Sequence, residues 1–377
     1  MGAMRFLIHP PDYREGWPEA HRAYISGSDG HVFSTQVEFN GTMLTCRRTS
    51  SESGKLHVAW PIAGFGCPVL TTASLCEREQ PYLLAVELAR GLLAQGRDQS
   101  SKWEMSGMAV PDDVRQADRE AYRHFSRAVA LHDDPDAASR LACQALEAAF
   151  RAAELLARSY SEQRLKVRRM WAPRLPASLG CNLGRLVPDG TWENDFCGAF
   201  NAAAVPIQWR HIEPVEGEYH WEDYDRQIEW CQKHKLFTYG GPLLDLAPEG
   251  LPEWLWQWER DFLNLQSFVC DFVETAVSRY FGKVRHWEIT ARVNTGGALT
   301  ISEEDRLALV ARTLEAARQV DEEIQLLIRV DQPWGGYQAR GQHRLSPMQF
   351  VDALLRSGVG LSGVNLEIAV GYRPRGS

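Results

Sequence analysis

From Leu179 onward the chain alternates strand-like and helix-like segments, and this alternation restricts it to a parallel α/β architecture. Strand-like runs are read at 179–186, 203–209, 236–243, 284–291, 325–330 and 363–369. Helix-like pieces separate them at 223–234, 263–280, 303–320 and 347–357. The unit repeats every 30–45 residues or so, roughly the size of one βα step. The expected fold is therefore α/β with a parallel sheet, and about six βα units are visible. An open edge on such a sheet would leave its core uncovered. The expectation is that a partner or a further stretch of sequence completes it.

The first half reads differently. Residues 32–39 alternate at period two, Asn40-Gly41 follows, and 42–46 resumes the apolar pattern. Asn-Gly between two such runs predicts a hairpin. Another turn at 51–54 and a strand at 56–62 extend this into a small antiparallel unit. Helical spacing then appears at 81–94, at 111–131, and at 137–168, the last opened by Asp134-Pro135-Asp136 as cap, first-turn proline and first-turn acid. The basic end, from Arg164 to Arg169, suits the negative pole of a helix. The expected division is a β-rich module at 1–95, loosely like the accessory modules of carbohydrate-active enzymes. A helical connector at 96–172 and the parallel α/β unit at 173–377 follow. Pro173, Pro176 and Gly180 mark the last boundary.

Bulk properties narrow the function. The net charge is −8 with no Lys/Arg run of note, which argues against a nucleic-acid partner. No apolar run reaches the ~18 residues of a membrane span, so no membrane partner is expected. Eight cysteines stand singly with no C-x-x-C pair, so neither a zinc knuckle nor a disulfide framework is expected. His211, His220, His234 and His286 have no partners at metal-ligand spacing and read as surface histidines. No phosphate-binding loop, dinucleotide fingerprint or nucleophile elbow occurs, so no cofactor and no metal are expected. No secretory signal is seen near the start, which leaves a cytoplasmic location by default.

The run from Phe281 to Asn294 reads F-G-K-V-R-H-W-E-I-T-A-R-V-N. An aromatic-Gly, then Trp and an acid opening a β-branched run, describes a strand that feeds a site. The run resembles family 10 glycoside hydrolases, the xylanase family, where the same place reads approximately Y-G-x-x-x-x-W-D-V-V-N-E. Other anchors keep the family's order. They are Phe200-Asn201-Ala202, then Gln208-Trp209 through Glu213-Pro214, then Gly217-Glu218-Tyr219-His220-Trp221 with Asp225. Gly240, Pro252-Glu253-Trp254, Asp331 and the run from Gly363 to Glu367 follow.

The departures fall where the family touches sugar. Ala204-Val205 replace an acidic-Asn pair, Gln208 a Lys, Gly241 and Asp245 a His and a Trp, and Ala291-Arg292 the Asn and the catalytic acid. Arginine holds its charge at any working pH and cannot donate that proton. The seventh strand, which carries the family's nucleophile, is not seen. The resemblance thus implies a (β/α)8-type TIM barrel of xylanase descent, only about six of its βα units visible, whose catalytic residues have been lost. Asp245, Glu288, Asp331 and Glu367, all near strand ends, are the candidate carboxyls. Each reads as an ion pair or helix cap before it reads as a catalyst. Glu288, Thr290 and Arg292 share one strand face by alternation, so a carboxylate should pair with Arg292. Trp209, Tyr239, Trp287, Arg292, Asn294 and Trp334 are candidate contacts for a β-linked polysaccharide or oligosaccharide. Three readings stay open: a glycan-binding protein that does not cleave, an active xylanase-type hydrolase with relocated or missing carboxyls, and a scaffold or protein-interaction module.

Overall fold

The computed structural model describes residues 2–9, 17–172, 177–340 and 343–368. Pro173, Pro176, Ala369 and the closing run 371–377 lie outside the described residues. The chain divides into two compact units, one formed by the residues up to 172 with 338–340, the other by 177–337 and 343–368.

Among the described residues the first unit has eight strands: β1 Gly2–Leu7, β2 Tyr24–Ser26, β3 Val32–Phe33, β4 Gln36–Phe39, β5 Met43–Arg48, β6 Lys55–Ala59, β7 Val69–Thr71 and β8 Tyr82–Leu83. They form two sheets, ordered β4-β5-β1-β8 and β3-β2-β6-β7. The hairpin at Asn40-Gly41 is present, pairing Phe39 with Leu44. Gly41 takes φ +92°, which glycine adopts without a Cβ penalty. Asn40 Oδ1 closes the turn by accepting from the Met43 amide at 2.8 Å.

Three helices follow: α1 Leu84–Met105, α2 Asp112–Ala130 and α3 Pro135–Trp171. Asp134 caps α3, accepting from the Ala137 amide at 3.1 Å, and Pro135 occupies the first turn where its missing N–H costs nothing. The helices share a core with the sheets. Phe6, Leu44 and Trp60 of the strand region pack in one cluster with Leu84 and Leu88 of α1 and with Ala142 and Leu146 of α3. Residue 95, the expected module boundary, falls inside α1.

The second unit runs β9 Gly180–Asn182, α4 Gly190–Ala199, β10 Ala202–Val205, α5 Trp209–Ile212, α6 Glu222–Lys233, β11 Phe237–Gly240 and β12 Leu244–Asp245. It continues through α7 Phe262–Arg279, β13 His286–Ala291, α8 Glu303–Val320, β14 Gln325–Asp331, α9 Pro347–Arg356 and β15 Gly363–Glu367. The sheet is ordered β15-β14-β13-β11-β10-β9, with β12 pairing β13 beside that path, and every pairing is parallel. Consecutive neighbours in chain order, all parallel, are the arrangement of a TIM-type α/β barrel, here in part.

One sheet face is covered by helices. Leu326, Ile328 and Val330 of β14 and Trp287 and Ile289 of β13 join Ile228, Phe272, Leu309 and Phe350 from α6, α7, α8 and α9 in a single core. The other face carries the alternate residues. Among them Leu327, Arg329 and Asp331 remain only half-buried.

Strand ends differ from the sequence reading for local reasons. The run expected over 203–209 stops at Val205, because Pro206 has no N–H for the ladder. The run expected over 179–186 stops at Asn182, whose side chain accepts from the Gly184 amide at 2.7 Å and turns the chain. At 236–243 the strand ends at Gly240. Gly241 then takes φ +110°, and any Cβ there would lie 2.1 Å from the Glu288 carbonyl oxygen, so no other residue fits.

Candidate functional site

The short strand β12 brings Asp245 alongside Ala291 of β13, which places Arg292, the next residue, within reach. Arg292 Nη1 donates to both oxygens of Asp245, at 2.7 and 2.6 Å, and Nη2 donates to Glu367 Oε1 at 3.3 Å. The carboxylate contact expected of Arg292 is therefore present twice. Burial works against the Arg292 charge, but hydrogen bonding to Asp245 and the fields of Asp245, Glu367 and Asp331 outweigh it and raise its pKa above the ordinary value. Arg292 reaches the same open face as Glu288, the two linked through Arg329 and Glu367, but it does so from beyond the strand. The ladder slips between Glu288 and Thr290, the strand ends at Ala291, and Arg292 itself takes φ +61°. A left-handed arginine costs about 1 kcal/mol or more. Its two carboxylates hold it there.

Glu288 pairs elsewhere. It is ion-paired to Arg329 and accepts from the Asn365 amide, with its side chain only 8% exposed. Arg329 also reaches Glu367 at 3.6 Å. A ladder of alternating charge thus crosses the open face, from Glu288 through Arg329, Glu367 and Arg292 to Asp245. Asp331 sits at the end of β14 in register with Glu367. It accepts from the Thr295 hydroxyl at 3.3 Å.

A cleft of about 280 Å³ opens on this face, lined by Asn182, Ala204, Tyr239, Glu288, Arg329 and Asn365 among others. Arg329 and Asn365 are functional candidates that the sequence reading passed over. The signal was available: Leu327, Arg329 and Asp331 alternate along β14, as do Asn365 and Glu367 along β15.

Several sequence candidates do not face the cleft. Trp209 is 1% exposed and Trp287 is fully buried. Trp209 starts α5 instead of ending a strand. Its ring stacks on Phe272 with centroids 4.7 Å apart, and its indole N–H donates to Glu213 at 2.7 Å. Glu213 in turn accepts from the Gly217 amide at 2.8 Å, and its carbonyl accepts from the Trp254 indole at 2.9 Å. The anchors around Trp209, Glu213, Gly217 and Trp254 are therefore one structural knot. Trp287 points to the helix side, its N–H donating to the Val284 carbonyl at 3.1 Å.

Asn294 is also engaged internally. It donates to the Asp331 carbonyl at 2.7 Å and accepts from the Asp331 amide at 3.1 Å, which pins the loop after β13 to the end of β14. Tyr239 does line the cleft, packed against Phe237 and His286 with centroids 5.0 and 5.6 Å away. His286 is thus part of the open face and not a plain surface histidine. Trp334, in the loop after β14, is 57% exposed. Among the described residues no group of three His, Cys, Asp or Glu side chains is placed to hold a metal ion. No described helix is long and apolar enough to cross a membrane.

Arg292 offers a test of this geometry. Arg292→Ala should destabilise the second unit by about 1–3 kcal/mol, less than a fully buried pair would, because the guanidinium keeps partial solvent access. Arg292→Gly should be the milder change by roughly 1 kcal/mol, since glycine accepts the left-handed backbone and alanine does not. Denaturant midpoints of the two variants measure this. Equal midpoints for the two variants would show that the left-handed backbone contributes nothing, and an alanine variant as stable as the parent would show that the pairing does not matter.

Residues 201–365 match the model of glycosyl hydrolase family 10. That segment is similar to family 10. The matched segment is less than half of the chain and coincides with most of the parallel sheet. Endo-1,4-beta-xylanase 2 of Arabidopsis thaliana is 22% identical over 163 residues, 43% of this chain and 15% of that relative. Endo-1,4-beta-xylanase 3 of Hypocrea jecorina is 28% identical over 129 residues, 32% of this chain and 35% of that relative. The match thus spans only about a third or less of these curated relatives' lengths. Among solved structures, xylanase 10B from Thermotoga maritima is similar at 16% identity and TM-score 0.44, over 53% of this chain and 63% of that one. Xylanase B from Clostridium stercorarium F9 is similar at 15% identity and TM-score 0.43, over 50% and 61%.

Proposed function

We propose that the second unit is a carbohydrate-directed module of family 10 descent that binds a β-linked glycan on its open face without cleaving it. The observation that carries this reading is the occupation of the carboxyls. Asp245, Glu288 and Glu367 each face a guanidinium, from Arg292 or Arg329. A retaining glycosidase needs two carboxyls ~5–5.5 Å apart, one free to protonate the leaving oxygen and one free to attack. Here the strand position that holds the family's acid is Arg292, which has no proton to give. The cleft offers Tyr239 as a ring platform with Asn365, Asn182 and Arg329 as polar contacts, a composition suited to sugar hydroxyls.

A second reading is an endo-1,4-β-xylanase-type hydrolase, supported by the sequence match to xylanases. Reducing-sugar release from β-1,4-xylan and from an activated aryl xyloside separates the two. The expected result is no turnover above buffer. Turnover that survives Arg292→Ala and disappears in Asp331→Asn or Glu367→Gln would establish the hydrolase.

A further inference from the structure

A second cavity, of about 160 Å³, is walled by the segments that follow β9 and β10 and shares no lining residue with the cleft. Arg185 comes from the turn after β9, His211 from α5 and His220 from the turn before α6, while Glu222, Asp223 and Gln227 come from α6 itself. All six end in planar polar groups that carry more than one nitrogen or oxygen. Gln227 is 1% exposed. Its Nε2 donates to the Gly184 and Leu186 carbonyls, both at 3.0 Å, which fixes the orientation of the amide. Oε1, at the other end of the same amide, accepts no hydrogen bond. A buried oxygen without a donor is costly, and its presence in the wall of a polar cavity calls for a donor there. The Arg185 guanidinium and the His211 and His220 rings make no hydrogen bond and no ion pair among the described residues. Trp221, at the N-cap of α6, makes no side-chain hydrogen bond either, so the first-turn amides keep their donors.

We propose that this cavity is a second carbohydrate site, one that takes a single neutral sugar ring. It uses other residues than the cleft, and either site can fail without the other. The Gln227 oxygen needs a donor, while Arg185 and the first-turn amides of α6 need acceptors. A hydroxyl is both, and neighbouring hydroxyls on a ring can span the two atoms of one planar group. The mixed charge of the wall opposes ions of either sign. Glu222 and Asp223 repel an anion, although Asp223 is itself paired with Arg226, and Arg185 repels a cation. Burial first, and then the fields of Arg185 and Arg210, hold the His211 ring below the usual histidine range. At neutral pH that ring is therefore uncharged, with one nitrogen to donate and one to accept. The volume is well under the ~300 Å³ at which pockets for drug-sized ligands begin, so one ring fits and a chain of rings does not. A nucleobase would need an open aromatic face, and Tyr224, which also lines the cavity, is only 5% exposed.

The experiment titrates xylose, arabinose, xylitol, inorganic phosphate and xylotetraose into the whole chain, followed by ligand-observed NMR. The parent is compared with Arg185→Ala, His211→Ala and Tyr239→Ala. Arg185 and His211 are exposed and hold nothing else in place, so their removal leaves the fold intact. One of the two pentoses should bind more tightly than xylitol, whose open chain must first be ordered. Arg185→Ala should weaken that pentose about tenfold, the worth of one hydrogen bond to a charged group. His211→Ala should weaken it too, and Tyr239→Ala should not. Xylotetraose should show the reverse pattern, lost in Tyr239→Ala and kept in Arg185→Ala. Pentose binding that ignores Arg185→Ala and disappears in Tyr239→Ala overturns the second site and leaves the cleft reading standing. Phosphate that displaces the pentose makes the cavity an anion site and overturns the sugar assignment, as does xylitol binding equal to the pentose. No pentose binding overturns it as well, whatever xylotetraose does, and only the loss of xylotetraose binding bears on the cleft.

Discussion

Glu288→Ala is expected to destabilise the second unit by about 3–5 kcal/mol, more than any other single charge change on its open face. The carboxylate is only 8% exposed and holds both Arg329 and the Asn365 amide. Its removal leaves the Arg329 charge in a half-buried cleft, with Glu367 at 3.6 Å as the remaining carboxylate. The penalty comes from that stranded charge more than from the lost attraction. Glu288→Gln should cost less, because an amide oxygen still accepts from Arg329. Denaturant unfolding of the three proteins measures the order. A Glu288→Ala variant with the parent's midpoint would mean that the charge ladder contributes nothing to the fold.

Trp209→Ala and Trp287→Ala should each cost about 3–5 kcal/mol, the range for emptying a buried aromatic site. Trp209 would also strand the Glu213 oxygen it now donates to, and Trp287 would open a void under Gly240. Both effects belong to stability. If these rings were sugar platforms, the variants would keep the parent's melting temperature and lose only binding. Melting temperature and glycan affinity measured on the same samples separate the two cases. Tyr239→Ala is the useful contrast, since that ring lines the cleft.

Long, strongly periodic segments were legible in the sequence. The helix expected over 303–320 is found as Glu303–Val320, opened by Ser302 accepting from the Asp305 amide at 3.0 Å. The cap at Asp134-Pro135 and the turn at Asn40-Gly41 were readable because their chemistry is local. The parallel order of the second unit followed from strand-helix alternation alone.

The site was less legible, and the reasons are specific. Period-two reasoning puts Arg292 and Glu288 on one face, but it does not show that the strand slips and ends before Arg292 or that each takes a different partner. The two-residue strand β12, which brings Asp245 to Arg292, is too short to leave a pattern. Trp209 follows a strand-like run in the sequence, but Pro206 ends the ladder and Trp209 starts a short helix. Arg329 lies in no family anchor and Asn365 sits inside the Gly363–Glu367 run with no chemistry attached to it, although their alternation with Asp331 and Glu367 marks the same face.

The claim that this face binds glycan and leaves it intact is tested most directly by following a β-1,4-xylo-oligosaccharide by ligand-observed NMR in the presence of the whole chain. One spectrum series records both events. Saturation should transfer from protein to sugar protons, while the anomeric signals of the oligosaccharide stay constant over time. New reducing-end anomeric signals that grow with protein concentration would contradict the account. So would an absence of saturation transfer.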